Sequence, residues 1–219
     1  MGREVDLLVN YPRTKRNIDE RAVSKSEEDI AIARRFDKDF FDGDRRHGYG
    51  GHHYNSRFWQ PVAPTFKEHW SLNYQSSILD VGCAKGFMLH DFLELIPGMR
   101  VEGIDVSEYA IANSLESVKP FLQVADCRNL PYADNSFDYV ISINTVHNLD
   151  LEECAQSLRE IERISRLGSF ITVDAYRNEE EKRRMFDWKL TAKTILSVDE
   201  WVVFFGESGY TGDYYWFIP

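Results

Sequence analysis

The sequence predicts an α/β fold, a parallel sheet with helices on both faces, entered through an N-terminal helical and loop segment that serves as a lid. Three observations carry this. Ile78 to Phe87, ILDVGCAKGF, reads as a buried strand, a glycine-bracketed turn and the start of a helix. From Ser77 onward strand-like and helix-like stretches alternate, the pattern of a parallel sheet covered on both sides. Three successive apolar strands each run into an aspartate, namely Asp80, Asp105 and Asp126.

In chain order, residues 1–25 show little periodicity, and TKRNIDER reads as a charged, mobile arm. Ser26-Glu27-Glu28-Asp29 resembles a capping box, and Ile32, Phe36 and Phe40 recur at helical spacing. One helix is therefore expected from Glu27 to Phe41, stopped at Gly43 and packed on the core or on another subunit, so a homo-oligomer is compatible with it. The stretch DGDRRHGYGGHHYNSRFWQPVAP combines a loose, glycine-rich backbone with polar and aromatic tips. That composition suits a loop closing over a ligand, with Tyr49, His52, His53, Arg57 and Trp59 as candidate substrate contacts. No metal is expected, because the adjacent His52 and His53 rarely aim at one ion and no matching Cys or acidic pattern surrounds them. A short helix, Thr65 to Trp70, leads into the core.

The turn from Gly82 to Gly86 precedes the apolar helical run FMLHDFLELI. Unpaired N–H groups and the positive dipole end of that helix can hold an anionic or polar part of a ligand, and glycine lets the backbone approach it. Val101 to Ile104 is the second strand, and Asp105 follows at about the 20-residue spacing where an acid meets a ribose in dinucleotide-type folds. Ser107 caps a helix over Glu108 to Val118. Leu122 to Ala125 ends in Asp126-Cys127, and Asn135-Ser136-Phe137-Asp138 leads into YVISINTVHNL. Helices follow at Leu151 to Ser165, closed by Gly168, then at Glu179 to Leu190 and Val198 to Glu207. FITVD, from Phe170, and the tail GDYYWFIP supply the remaining strands.

The 219 residues accommodate one α/β core, residues 71–219, and an accessory segment, residues 1–70. No run of about 18 apolar residues is present, so no membrane partner is expected. The N-terminus lacks the apolar stretch of a secretory signal, and three scattered cysteines make no disulfide framework, so the reducing cytoplasm is the expected compartment. Residues 1–70 carry 13 Lys+Arg against 12 Asp+Glu and residues 71–219 carry 13 against 24. An acidic core argues against nucleic acid as a partner, since its binding rests on phosphate neutralisation.

The ordered set of ILDVGCAKGF, Asp105, Asp126-Cys127 and the Asn135–Asp138 run resembles the class I S-adenosylmethionine (SAM) dependent methyltransferases of the small-molecule, type 11-like kind, closely over Ser77 to Tyr176 and loosely in the tail. The resemblance implies a Rossmann-like sheet, SAM as cofactor and S-adenosylhomocysteine as product. It implies that Asp80 and the backbone of Gly82, Cys83, Ala84 and Gly86 meet the methionine portion. Asp105 would take the ribose hydroxyls, Val106 would lie against adenine, and Asp126 with the Cys127 N–H would read the adenine edge. Asn144 falls where the family's backbone touches the cofactor amine. His147 falls where an acceptor-facing general base would stand, and Tyr176 and Arg177 close the fifth strand beside it. The sequence departs from the G-x-G-x-G pattern at Ala84, which is tolerable if that position keeps a negative φ. Only one strand of the family's closing antiparallel hairpin is evident; either the N-terminal region supplies the missing edge or the sheet is shorter.

The function expected is methyl transfer to an O or N atom of a small polar, anionic acceptor, a sugar or sugar nucleotide being one version, held by some of Arg45, Arg46 and Arg57. Two rivals are a non-catalytic protein that keeps the cofactor fold for binding or regulation, and a nicotinamide-dependent oxidoreductase. The latter needs G-x-G-x-x-G, whose second glycine is absent at Ala84.

Overall fold

The computed structural model describes residues 2–13, 18, 21–22 and 25–219. Most of the TKRNIDER arm lies outside the described residues. At its end, Arg21 Nε donates to the Trp188 carbonyl, and Lys25 Nζ donates to those of Phe186, Asp187 and Lys189. Both cations thereby satisfy carbonyls at one helix C-terminus, where positive charge is favoured.

The sheet is parallel throughout. Strands β1 (Ser77–Val81), β2 (Arg100–Asp105), β3 (Leu122–Val124), β4 (Phe137–Ile143) and β5 (Ser165–Tyr176) lie in the order β3-β2-β1-β4-β5. β6 (Leu196–Ser197) and β7 (Asp213–Phe217) both pair with β5, β6 at Ala175 and Tyr176 and β7 along Phe170 to Asp174. Their near-continuous apolar runs fit strands buried on both faces: β1 is buried from Ile78 to Val81, and β5 from Ser169 to Ala175. One apolar layer, with Phe66, Met88, Leu89 and Phe92, packs helices Ala63–Trp70 and Phe87–Leu95 on one face. The other, with Leu158, Ile161, Trp201 and Phe205, packs helices Leu151–Ile164 and Val198–Ser208 on the opposite face.

The question of the missing edge is answered by the N-terminus. Tyr214 N–H donates to the Arg3 carbonyl and Val5 N–H to the Tyr214 carbonyl, so a Glu4–Tyr214 bridge runs parallel along the outside of β7. No antiparallel strand occurs among the described residues. Arg3 N–H and His69 each bond the Asp213 carboxylate, fixing where that edge begins.

Several expected boundaries shift for local reasons. The expected helix Glu27–Phe41 is two helices, α1 (Glu27–Ala33) and α2 (Lys38–Asp42). Phe36 adopts φ 51° and Asp37 caps α2, which brings the Phe36 ring edge-on to Phe40 at 5.2 Å. The capping box at Ser26 and Asp29 is present. Two short helices follow, α3 (Ser56–Trp59) and α4 (Ala63–Trp70); the latter begins at Ala63 with Pro64 in its first turn, where a missing N–H costs nothing. After α5 (Phe87–Leu95), helix α6 covers only Glu108–Ala112 rather than reaching Val118, because Leu115 N–H turns back to the Lys85 carbonyl. Gly168 does not close a helix: α7 (Leu151–Ile164) passes directly into β5, and Gly168 lies opposite Tyr139 in the sheet. Helix α8 spans Glu179–Trp188 and α9 spans Val198–Ser208.

Candidate functional site

The strand order reverses between β1 and β4, and crevices at the carboxyl ends of strands at such a reversal are where α/β sheets bind ligands. Here the crevice is built from the β1–α5 turn, the end of β2 and the β4–α7 loop. Gly82 (φ 85°) is forced by contact as well as by conformation, since a Cβ there would come within 2.1 Å of Thr145 Oγ1. The Gly82 and Cys83 N–H groups both bond the Ile104 carbonyl, which locks the turn to β2. Gly86 (φ 74°) is the N-cap of α5 and supplies no side-chain cap. The first-turn N–H groups of that helix are therefore left to a ligand or solvent.

Ala84 departs from expectation. Its φ is 50°, in the left-handed region, so the methyl is carried at a position that favours glycine. What holds it there is the Ala84 N–H, which donates to Asp105 Oδ2 at 2.8 Å. Asp105 Oδ1 accepts from Ser107 N–H at 2.8 Å, so its carboxylate is oriented by backbone on both sides, and the residue is only 8% exposed. Burial pushes its pKa up, against the pull of those N–H donors.

Asp80 is buried beside it, and no hydrogen bond or ion pair from the described residues reaches its carboxyl group. Burial, with the neighbouring Asp105 charge, raises its pKa to about 7. An unpaired carboxyl buried at the base of a glycine cradle is costly in isolation and is satisfied by a cationic ligand group. The α-ammonium of a SAM methionine moiety has that charge, and the first-turn N–H groups of α5 beside it suit its polar part. These residues fit the cofactor that the sequence suggests. Val106, next to Asp105, is 58% exposed and offers an open apolar face for a planar base. Cys83 is buried over Gly103.

Asp126 stands at the end of β3 but is engaged: Arg128 donates to both of its oxygens and also pairs with Glu153. These bonds hold the Asp126 carboxyl below its usual range. Cys127 is half-buried with its Sγ accepting from Ser157 Oγ, and burial raises its thiol pKa. Asn144, at φ 53°, donates its N–H to Thr172, and its side chain accepts from Thr172 Oγ1.

His147 is 3% exposed. Its Nδ1 accepts the Asp174 N–H at 3.1 Å, and its carbonyl accepts the N–H groups of Lys193 and Thr194. Burial lowers the imidazole pKa, with Asp174 opposing. The lone pair that a general base would use is therefore occupied by backbone: the ring ties the β4–α7 loop to β5, and the His147 carbonyl ties it to Lys193 and Thr194.

The lid residues divide. Tyr49 and His52 meet with tilted rings at 4.1 Å, and His52 stacks on Phe87, the first residue of α5, at 4.7 Å, which makes an aromatic roof beside the cradle. Burial, then the nearby Lys85 charge, pushes the His52 pKa down to about 4, so its ring is neutral at pH 7. His53 is exposed. Trp59 packs on Tyr11, and exposed Arg57 stands over the Phe58 ring. Arg45 donates to the Gly48 and Tyr49 carbonyls, while Arg46 pairs with Asp44. Beyond the C-terminal end of β5, the Tyr176 hydroxyl reaches Glu200, and Arg177 pairs with Glu4 and Glu181, so neither bonds the residues of the glycine turn.

Lys85 was not among the site residues expected from sequence. It is 4% exposed, and its Nζ donates to Asp42 Oδ2 at 2.6 Å and to the His52 carbonyl at 2.9 Å. Asp42 also accepts from Tyr109 Oη and His52 N–H. A lysine in a tight turn and an aspartate ending a surface helix carry no spacing that would pair them. Among the described residues no group of three or more His, Cys, Asp or Glu could hold a metal ion, and no helix is long and apolar enough to cross a membrane.

Known proteins resemble this chain in sequence and in fold. Residues 79–173 match the family model described as a methyltransferase domain. A tRNA (carboxymethyluridine(34)-5-O)-methyltransferase of Arabidopsis thaliana is 33% identical over 154 residues, 69% of this chain and 36% of that protein. A demethylmenaquinone methyltransferase of Symbiobacterium thermophilum is 30% identical over 135 residues, 58% of this chain and 53% of that protein. The chain thus spans about a third to a half of the length of these two relatives. Among solved structures, one chain of the Haloferax volcanii complex containing the Trm112 methyltransferase activator aligns with TM-score 0.54 at 19% identity, covering 90% of this chain and 77% of that one. The [4+2]-cyclase SpnF aligns with TM-score 0.56 at 21% identity, covering 68% and 56%. Both share the fold.

Proposed function

We propose that this chain, whose core at residues 79–173 belongs to the class I SAM-dependent methyltransferases, moves a methyl group from SAM to an O or N atom of a small polar, anionic metabolite, a sugar or sugar nucleotide being one form. The observation that carries the reading is the unpartnered, buried Asp80 carboxyl beneath the Gly82–Gly86 cradle, with Asp105 oriented beside it. SAM brings an already activated methyl group, so the residues need to orient the two reactants and exclude water. Asp80 would neutralise the ammonium group, Asp105 would accept from the ribose hydroxyls, and the Tyr49–His52 roof would shield the crevice. With the His147 lone pair already occupied, we read transfer as relying on alignment more than on a dedicated base.

For the acceptor, Arg45 supports an anionic group best among the three arginines considered. Its bonds go to neutral carbonyls, so its charge stays uncompensated beside the roof, whereas Arg46 is neutralised by Asp44. A nucleoside within tRNA is the second reading, favoured by the 33% identity to the plant protein. The net charge of −10 weighs against RNA binding by this chain alone. The cytoplasm is the proposed location, supported by Cys83, Cys127 and Cys154 all being free thiols.

Calorimetric titration with SAM and S-adenosylhomocysteine, beside Asp105→Ala, tests the cofactor. Micromolar binding that Asp105→Ala loses is the expected result, and well-folded wild type that binds neither would sink the reading. An acceptor screen led by anionic metabolites, with Arg45→Ala as the control, then tests the substrate class.

A further inference from the structure

We infer that Lys85 is a positioning residue, whose ammonium group, clamped between Asp42 and the His52 carbonyl, fixes the aromatic roof over the cofactor cradle. The inference rests on reading that cradle as the SAM site. The lid holds itself together through its own backbone, with Tyr49 N–H bonded to the Phe40 carbonyl and Gly51 N–H to that of Phe41. Among the described residues, both hydrogen bonds from this unit to the glycine turn leave Lys85 Nζ. The same carboxylate takes the Tyr109 hydroxyl at 2.8 Å and the His52 N–H at 2.8 Å. Tyr109 belongs to α6, whose N-cap Ser107 donates its N–H to Asp105. One node therefore connects the lid, the turn that would hold the methionine portion, and the helix entered from the ribose-facing acid.

Lys85 is also placed to transmit a shift in either direction. It follows Ala84, whose N–H bonds Asp105, and its carbonyl accepts the Leu115 N–H at 3.2 Å, so both ends of the residue are tied. A buried ion pair in such a place contributes little net stability compared with an apolar pair of similar volume, yet leaving one partner alone is strongly destabilising. That asymmetry separates a positioning role from a merely structural one.

The test uses Lys85→Met and the double variant Lys85→Met/Asp42→Asn, each assayed for thermal midpoint, SAM affinity and tryptic cleavage after Arg45 and Arg46. Lys85→Met alone is expected to lower the midpoint. The double variant leaves no unpaired charge and is expected to recover most of the midpoint. SAM binding should nevertheless stay weaker than wild type by about tenfold or more, and cleavage after Arg45 and Arg46 should stay fast. A double variant that binds SAM like wild type, or resists trypsin like wild type, would overturn the inference. If wild type itself does not bind SAM, the cofactor reading fails separately. The cleavage arm then decides alone: protection in wild type that the double variant loses supports the clamp, and equal cleavage rates reject it.

Discussion

The Ala84 N–H donates to Asp105 Oδ2 at 2.8 Å while Ala84 itself is held at φ 50°, so a strained backbone position shares with the Ser107 N–H in orienting the Asp105 carboxylate. A left-handed alanine costs about 1–2 kcal/mol relative to an ordinary conformation. Glycine at this position removes that strain but adds freedom to the unfolded chain, worth about 0.4–1 kcal/mol the other way. Ala84→Gly is therefore expected to be neutral or slightly stabilising and to keep SAM affinity within about twofold. Ala84→Val, β-branched in a left-handed turn, is expected to lower both stability and affinity. Thermal melts and SAM titrations of the two variants check this; a clear loss in Ala84→Gly would show that the methyl has a packing role.

Asp80 gives the crevice a pH dependence whose sign is fixed. Its folded pKa, about 7, lies above the free value of 3.8, so the native state disfavours the carboxylate. The unbound protein is thus expected to lose stability from this group as pH rises from about 4 to 7, and to lose no more above that. The shift corresponds to a few kcal/mol at most, on the order of 1.4 per unit. Asp80→Asn should raise the melting temperature of the unbound protein at pH 8 and flatten that dependence. It should also weaken SAM binding, whose affinity in wild type is expected to rise with pH toward 7 and then level. Stability that rises with pH over this window would contradict the assignment.

The strand–turn–helix of ILDVGCAKGF and the aspartate after β2 were legible in the sequence because burial on both sheet faces leaves long apolar runs, and because a tight turn demands glycine at fixed places. The positive φ at Ala84 was not legible, since the hydrogen bond that stabilises it comes from a residue on another strand. Nor was the break at Phe36, where apolar spacing continues smoothly across a change of direction set by the Asp37 cap. The Lys85–Asp42 pair spans 43 positions and has no periodicity to announce it. The arginines of the lid read alike by composition, and only the structure separates them: Arg45 bonds carbonyls of its own loop, Arg46 pairs with Asp44, and Arg57 stands over the Phe58 ring.

The outer edge of the sheet supplies a control far from the crevice. Val5 N–H donates to the Tyr214 carbonyl at 2.9 Å, so Val5→Pro removes one donor from the bridge that covers β7. A loss of about 1 kcal/mol follows, which for a chain of this size lowers the melting temperature by about 2–4 °C. SAM affinity should not change. A variant that melts like wild type would show that the N-terminal segment contributes nothing to the edge.

His147 separates two roles by one choice of substitution. Its Nδ1 accepts the buried Asp174 N–H at 3.1 Å, and an asparagine side-chain oxygen can accept in a similar place, whereas phenylalanine leaves that donor unpaired at a cost of about 1–3 kcal/mol. His147→Phe is expected to melt well below wild type, and His147→Asn to recover much of the difference. Because burial lowers the folded imidazole pKa, the unfolded chain takes up the proton first, and this group makes wild type lose stability as pH falls through about 6.5. His147→Asn should lack that acid sensitivity. If the ring only ties the loop together, kcat in His147→Asn stays within about threefold of wild type with an unchanged pH profile. A general base would instead cost about 10²–10⁴-fold in the same variant. Stopped-time assays of S-adenosylhomocysteine formation across pH 6–9 distinguish the two, and a large kcat loss in a variant that melts like wild type would restore His147 to the chemistry.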